Sequence, residues 1–197
     1  MTAADLGTPL RQAVRRLTTG VTVLTVWRGE VLHGSTISSV TAVSREPLLI
    51  GACLRRESSL AEIIGAARFF AVNVLSARQA AIAARFADPT RPRGWALFDR
   101  VEWEPDPFSG APWIGGSLAS LGCHLVRTVP AGDHNLLLAE VVTARDGDGS
   151  PLLHFTGRLH DGALHALPRE TREPREFQAA PGTGRPPVPA AALGGRS

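Results

Sequence analysis

The sequence predicts a mainly β protein with helices (α+β), its strands forming a mostly antiparallel barrel with helices filling the ends. Three observations predict this class. Short β-branched and apolar runs recur between turn signals, as in VTVLTVW at 21–27, PLLIGACL at 47–54 and FFAVNVL at 69–75. Helical stretches are few and fall among the strands without a regular βαβ alternation. No G-x-G-x-x-G follows a strand candidate, which disfavours a Rossmann arrangement.

Thr8-Pro9-Leu10 marks the start of a first helix, preceded by a flexible segment over 1–8. Leu10, Val14 and Leu17 recur at helical spacing, and Gly20 ends the helix. Residues 21–27 and 31–40 form a strand pair around the turn Arg28-Gly29-Glu30. The continuous apolar run 47–54 reads as a strand buried on both faces. Ser59 followed by Glu62 is a capping-box pattern opening a short helix that closes near Gly65. A strand over 69–75 comes next, then a second capping box, Ser76 with Gln79, and an alanine-rich helix to Ala87. Asp88-Pro89 ends that helix, and 88–115 is a proline- and glycine-rich loop pinned by Trp95, Phe98, Trp103, Phe108 and Trp113. Residues 118–126 and 135–143 read as long strands, and 151–155 with 158–164 as the last pair. One domain is expected over 9–166. The tail 167–197 is rich in Pro, Gly and Ala and nearly lacks large apolar residues, so it is expected to be disordered.

Composition narrows the function. All 21 basic residues are arginine, scattered along a chain of formal charge +3 with aromatics at 6%. A nucleic-acid platform is not supported, because it needs a basic stripe with interleaved aromatics. No apolar run reaches the length of a membrane span, and the N-terminus lacks a secretory pattern. Cys53 and Cys123 lie in apolar strand runs, which suits buried free thiols and points to the cytoplasm. Six histidines show no metal-ligand spacing.

The most informative stretch is 33–60. Thr36, Ser38, Ser39, Thr41 and Ser44 offer a row of small polar groups. Arg55, Arg56, Ser58 and Ser59 lie at a helix start, where free N–H groups and the helix dipole favour an anion. Together these could hold a planar, phosphorylated cofactor. Each also has a plain structural reading, since Ser/Thr-rich strands are ordinary and a capping box caps a helix.

Gly34, Thr36, Ser39, Val40, Thr41, Val43 and Ser44, then Glu46-Pro47, Cys53 and Ser58-Ser59, follow one another without a gap. This run resembles the flavin-binding segment of the flavin reductase family, the FMN-binding split-barrel proteins that serve as reductase partners of two-component monooxygenases. The resemblance spans roughly residues 10–165. It implies an antiparallel Greek-key split barrel, a homodimer, FMN or FAD as flavin, and NADH or NADPH as reductant. It also implies that the flavin ring borders Thr36, Ile37, Ser38, Ser39, Cys53 and Leu54, with Ser44 in the same run. The phosphate would meet Ser58, Ser59 and Arg55 or Arg56, and the flavin tail Arg85 and Phe86. Gly132-Asp133-His134 matches the family's G-D-H motif, whose histidine lies near the nicotinamide; Asp133 would hold the turn. PLLHFTGR at 151–158 resembles another family segment, which makes Phe155 a candidate for stacking at the nicotinamide end.

On this reading hydride passes from nicotinamide C4 to flavin N5, and the reduced flavin serves a partner monooxygenase. Two alternatives stay open: a split-barrel carrier or sensor of flavin or haem, and a reductase-like scaffold recruited to another flavin reaction.

Overall fold

The helix at the N-terminus lies earlier in the chain than its capping signals mark, ending at Val14 and leaving Leu17 outside it. In the structure, a computed structural model that describes residues 3–167, α1 spans Ala3–Val14. It therefore starts before Thr8 and carries Pro9 inside it, so residues 3–8 are helical. Gly20 does not terminate α1. It belongs to the two-residue strand β1 (Thr19–Gly20), because a long-range strand partner near the C-terminus competes for it.

The next elements follow the predicted order. They are β2 (Thr22–Arg28), β3 (Val31–Ile37), β4 (Val40–Arg45), β5 (Leu48–Arg55), α2 (Ser59–Ala67) and β6 (Phe69–Val74). After β6, a 3-10 turn at Ala77–Gln79 leads into α3 (Ala80–Ala87), and Ser76 and Gln79 make the expected reciprocal capping box. A second 3-10 turn covers Gly94–Phe98. The short strands β7 (Trp103–Pro105) and β8 (Pro112–Ile114) order the proline-rich loop. A long hairpin, β9 (Ala119–Ala131) and β10 (His134–Asp146), precedes β11 (Leu152–Phe155) and β12 (Arg158–Asp161). Strand β4, which carries Thr41 and Ser44 of the polar row, has no counterpart among the expected strands; most of its side chains are exposed, so it shows no apolar alternation to read.

Seven strands form one antiparallel sheet in the order β3-β2-β6-β9-β10-β5-β4, and β1-β11-β12 form a smaller one. The sheet's two edge strands, β3 and β4, are joined by Ser38 and Ser39 alone. The three Cα–Cα steps from Ile37 to Val40 span at most about 11 Å, so the two edges come together at this corner and the sheet curls into an open barrel. Beside this corner the β4–β5 ladder runs one residue past Val40: Ser39 Oγ donates to the Cys53 carbonyl at 2.8 Å, and the Cys53 N–H donates to the Ser39 carbonyl at 3.4 Å.

The barrel interior holds Leu24 and Val26, Ile50, Ala52 and Leu54, Phe70 and Val72, Leu125 and Leu137. Helix α2 plugs it with Leu60, Ala61 and Ile64. A second core forms on the outer face of β2 and β3, where Val23 and Leu32 meet Ala83 and Phe86 of α3 and Leu97 and Phe98. Pro130 is tolerated in β9 because β6 pairs with β9 only as far as His124, which leaves that edge free. The chain divides after Leu164. The tail expected from 167 onward falls outside the described residues except for Leu167 itself.

Candidate active site

The barrel seam, two helix ends and one hairpin meet at a single cleft of about 780 Å³, a size that takes a nucleotide-like ligand. Strand β3 and the seam supply Ser35, Thr36, Ile37, Ser38 and Ser39; the end of β5 supplies Cys53, Leu54 and Arg55. Glu57, Ser58 and Ser59 come from the start of α2, and Ala87, Pro89 and Arg91 from the end of α3. His134 enters from β10, whose register sets it directly across from Arg55. A smaller cleft of about 220 Å³ adjoins, sharing Thr36, Ser38 and Ala87 and adding His154 and Arg158.

The α2 start differs from its sequence signature. The N-cap is Ser58, not Ser59, and Ser58 makes no side-chain capping bond. Its hydroxyl is therefore not committed to the helix. The Ser59 hydroxyl lies 3.2 Å from His33 Nε2. Burial first, and then the charges of Arg91 and Arg93, hold the His33 pKa below its ordinary value, so this imidazole is neutral at pH 7.

Within the turn Gly132-Asp133, Gly132 adopts φ 62°, and Asp133 Oδ1 lies 2.7 Å from His134 Nδ1. That bond is the main reason the Asp133 carboxyl sits below the usual carboxylate range. An ionised carboxylate only accepts, so it fixes the proton on Nδ1 and leaves Nε2 for a ligand. The Asp133 carbonyl also accepts from the Arg56 N–H at 3.1 Å, tying the hairpin to the end of β5. Asp133 thus orients His134 as well as holding the turn.

Ten of the expected site residues line the cleft: Thr36, Ile37, Ser38, Ser39, Cys53, Leu54, Arg55, Ser58, Ser59 and His134. The remaining seven do not. Ser44 lies on β4, its hydroxyl directed to the Glu46 carbonyl at 3.3 Å. Arg56 is exposed beside the hairpin turn, and Gly132 and Asp133 act from behind His134. Arg85 turns from the cleft and donates to the carbonyls of Leu97 and Ala96, at 2.7 Å each. Phe86 is fully buried, its ring so close to Gly34 that a Cβ there would meet it at 2.8 Å. Strand alternation puts His154 rather than Phe155 at the adjoining cleft, while Phe155 packs edge-on to His160. Sequence reasoning missed Ser35, His33 and Arg91. Arg91 follows a helix-ending proline and belongs to no periodic pattern, so only the fold brings it here.

A curled antiparallel sheet with an anion-ready cleft at its seam defines a nucleotide-cofactor-binding split barrel. Residues 14–163 match the flavin reductase like domain, and the chain belongs to this family. It is 47% identical over 165 residues to an NADPH-flavin oxidoreductase of Streptomyces viridifaciens, covering 83% of this chain and 85% of the relative. It is 34% identical over 149 residues to the reductase component of a 4-nitrophenol 4-monooxygenase/4-nitrocatechol 2-monooxygenase of Rhodococcus opacus, covering 76% of this chain and 77% of the relative. A solved NADH:FAD oxidoreductase of Streptomyces globisporus, in complex with NAD and FAD fragments, superposes with a TM-score of 0.76 at 34% identity, covering 85% of this chain and 99% of that one.

Proposed function

We propose that this chain is an NAD(P)H:flavin oxidoreductase that reduces FMN or FAD and supplies the reduced flavin to a partner monooxygenase. The observation that carries the reading is one cleft in which Ser58, Ser59 and Arg55 at a helix start face His134, oriented by Asp133. The donor set fits a phosphorylated flavin: an uncommitted Ser58 hydroxyl, the free N–H groups of α2, and Arg55. Residues 37–39 and 53–54 of the seam line the same cleft and would border the flavin ring. Flavin bound there supplies the ring that accepts a hydride from reduced nicotinamide. The protein's own contribution is position. His134, held by Asp133 through Nδ1, would present Nε2 toward the nicotinamide. No side chain needs to move a proton for the hydride to pass.

The similarity to monooxygenase reductase components supports a two-component system. We place the enzyme in the cytoplasm as a homodimer, which accords with the exposed apolar row Leu10, Val14 and Leu17 along and just beyond α1.

Anaerobic stopped-flow absorbance tests the activity. Mixing protein and FMN or FAD with NADH, then NADPH, should bleach the flavin band and select both cofactors. Bound flavin that neither reductant bleaches would make the chain a carrier or sensor instead. His134→Ala should slow reduction by about tenfold or more while leaving flavin affinity nearly unchanged. Collapse of flavin binding in that variant would make His134 structural.

A further inference from the structure

Arg91 lines the cleft between the end of α3 and strand β3. It follows α3, in a loop that Asp88 folds back by accepting from the N–H and hydroxyl of Thr90, both at 2.7 Å. Its guanidinium is held from behind, where Nη1 donates to the Asp88 carbonyl at 2.8 Å. Nη2 lies 3.5 Å from the Ser35 hydroxyl on β3, at the cleft wall. Nε is buried and has no hydrogen-bond partner. An arginine fixed at one end and left with a shielded, unpaired donor is expensive unless an acceptor completes it. The local charge balance points the same way: Arg55 and Arg91 line the cleft against Glu57 alone among its carboxylates, and the fields of Arg91 and Arg93 reach His33 beside Ser59.

We infer that Arg91 is a phosphate ligand of this cleft and closes, from the α3 side, the clamp that Arg55, Ser58 and Ser59 begin from the α2 side. This rests on the flavin-binding reading above. The phosphate is that of the flavin, because Ser58 and Ser59 line the same cleft as the seam residues that would border the ring. A nicotinamide nucleotide carries the same chemistry, so the test separates the two sources. Asp88 and Ser35 position the guanidinium, and neutral His33 steadies Ser59. Arg56, which lies outside the cleft, takes no part.

The test compares FMN with riboflavin, which lacks the phosphate, by fluorescence titration of the full chain without reductant. The wild-type protein should bind FMN more tightly than riboflavin. In Arg91→Gln that preference should fall by about tenfold or more, through loss of FMN affinity with riboflavin affinity retained. Arg91→Lys keeps the charge but not the fork and should fall between the two. Thermal melts of both variants check folding; should Arg91→Gln not fold, Arg91→Lys alone decides by the same ratio. An unchanged FMN-to-riboflavin ratio in a folded variant overturns the assignment. So does an unchanged ratio with a raised KM for NADH, which would move the phosphate to the nicotinamide nucleotide. A wild-type protein that binds the two flavins equally would instead remove the phosphate site on which the inference stands.

Discussion

His33 links stability to pH. It lies on β3 beside Ser59, and burial together with Arg91 and Arg93 lowers its pKa from the ordinary 6.5. The unfolded chain takes up this proton near pH 6.5 while the folded protein resists it. Above that pH the residue contributes no difference. As pH falls through 6.5 the fold is progressively destabilised, until the lower folded value is passed and the loss levels off. His33→Gln should therefore flatten the acid side of the melting-temperature profile below about pH 6.5. Scanning calorimetry across pH 5–8 checks this, and a slope identical to wild type would show that the His33 environment does not bear on stability.

Asn73 shows what a single buried amide does for the elements around it. It lies on β6 and is fully buried. Its Nδ2 donates to the carbonyls of Val23 at 3.2 Å and Pro112 at 3.1 Å, and Oδ1 accepts from the Ile114 N–H at 2.7 Å and the Ser120 hydroxyl at 3.1 Å. These bonds join β2, β8 and β9 to β6. Asn73→Leu keeps the branched shape and strands its partners, so it should cost about 2–3 kcal/mol, read from urea denaturation. A loss below about 1 kcal/mol would mean the network relaxes around the leucine. The packing of Phe86 against Gly34 works at the same scale. It explains why a glycine stands on β3 next to the cleft and why an aromatic ends α3: the two elements approach too closely for any Cβ. The R-F pair that resembles a cofactor contact is thus, in this fold, a brace, with Arg85 holding the 94–98 turn and Phe86 seating α3 on β3.

At the scale of the whole molecule, Leu10, Val14 and Leu17 stay about two-thirds exposed, at 66, 64 and 68%, although their spacing is that of a buried helix face. A single copy of the chain leaves that row uncovered. Light scattering coupled to size exclusion should return twice the 20.9 kDa chain mass. Leu10→Glu with Val14→Glu should shift the protein toward monomer, while a monomeric wild type would leave the row to another partner. Among the described residues no helix is long and apolar enough to cross a membrane.

By itself the sequence determined the longer apolar strand runs, the second capping box, the helix starts near 59 and 77, and most of the cleft lining, for a physical reason. Strand alternation, caps and turns are local, and the stretches 36–39 and 53–59 are nearly continuous in the chain. Tertiary structure decided what depends on distant partners. It moved the N-cap to Ser58, drew Gly20 into a strand with Leu153, and turned Arg85 and Phe86 into packing groups. It also brought His33 to Ser59 and Arg91 to Ser35. Such encounters depend on how a curled sheet closes at Ser38 and Ser39, and no spacing within one segment encodes where that closure carries the end of a separate helix.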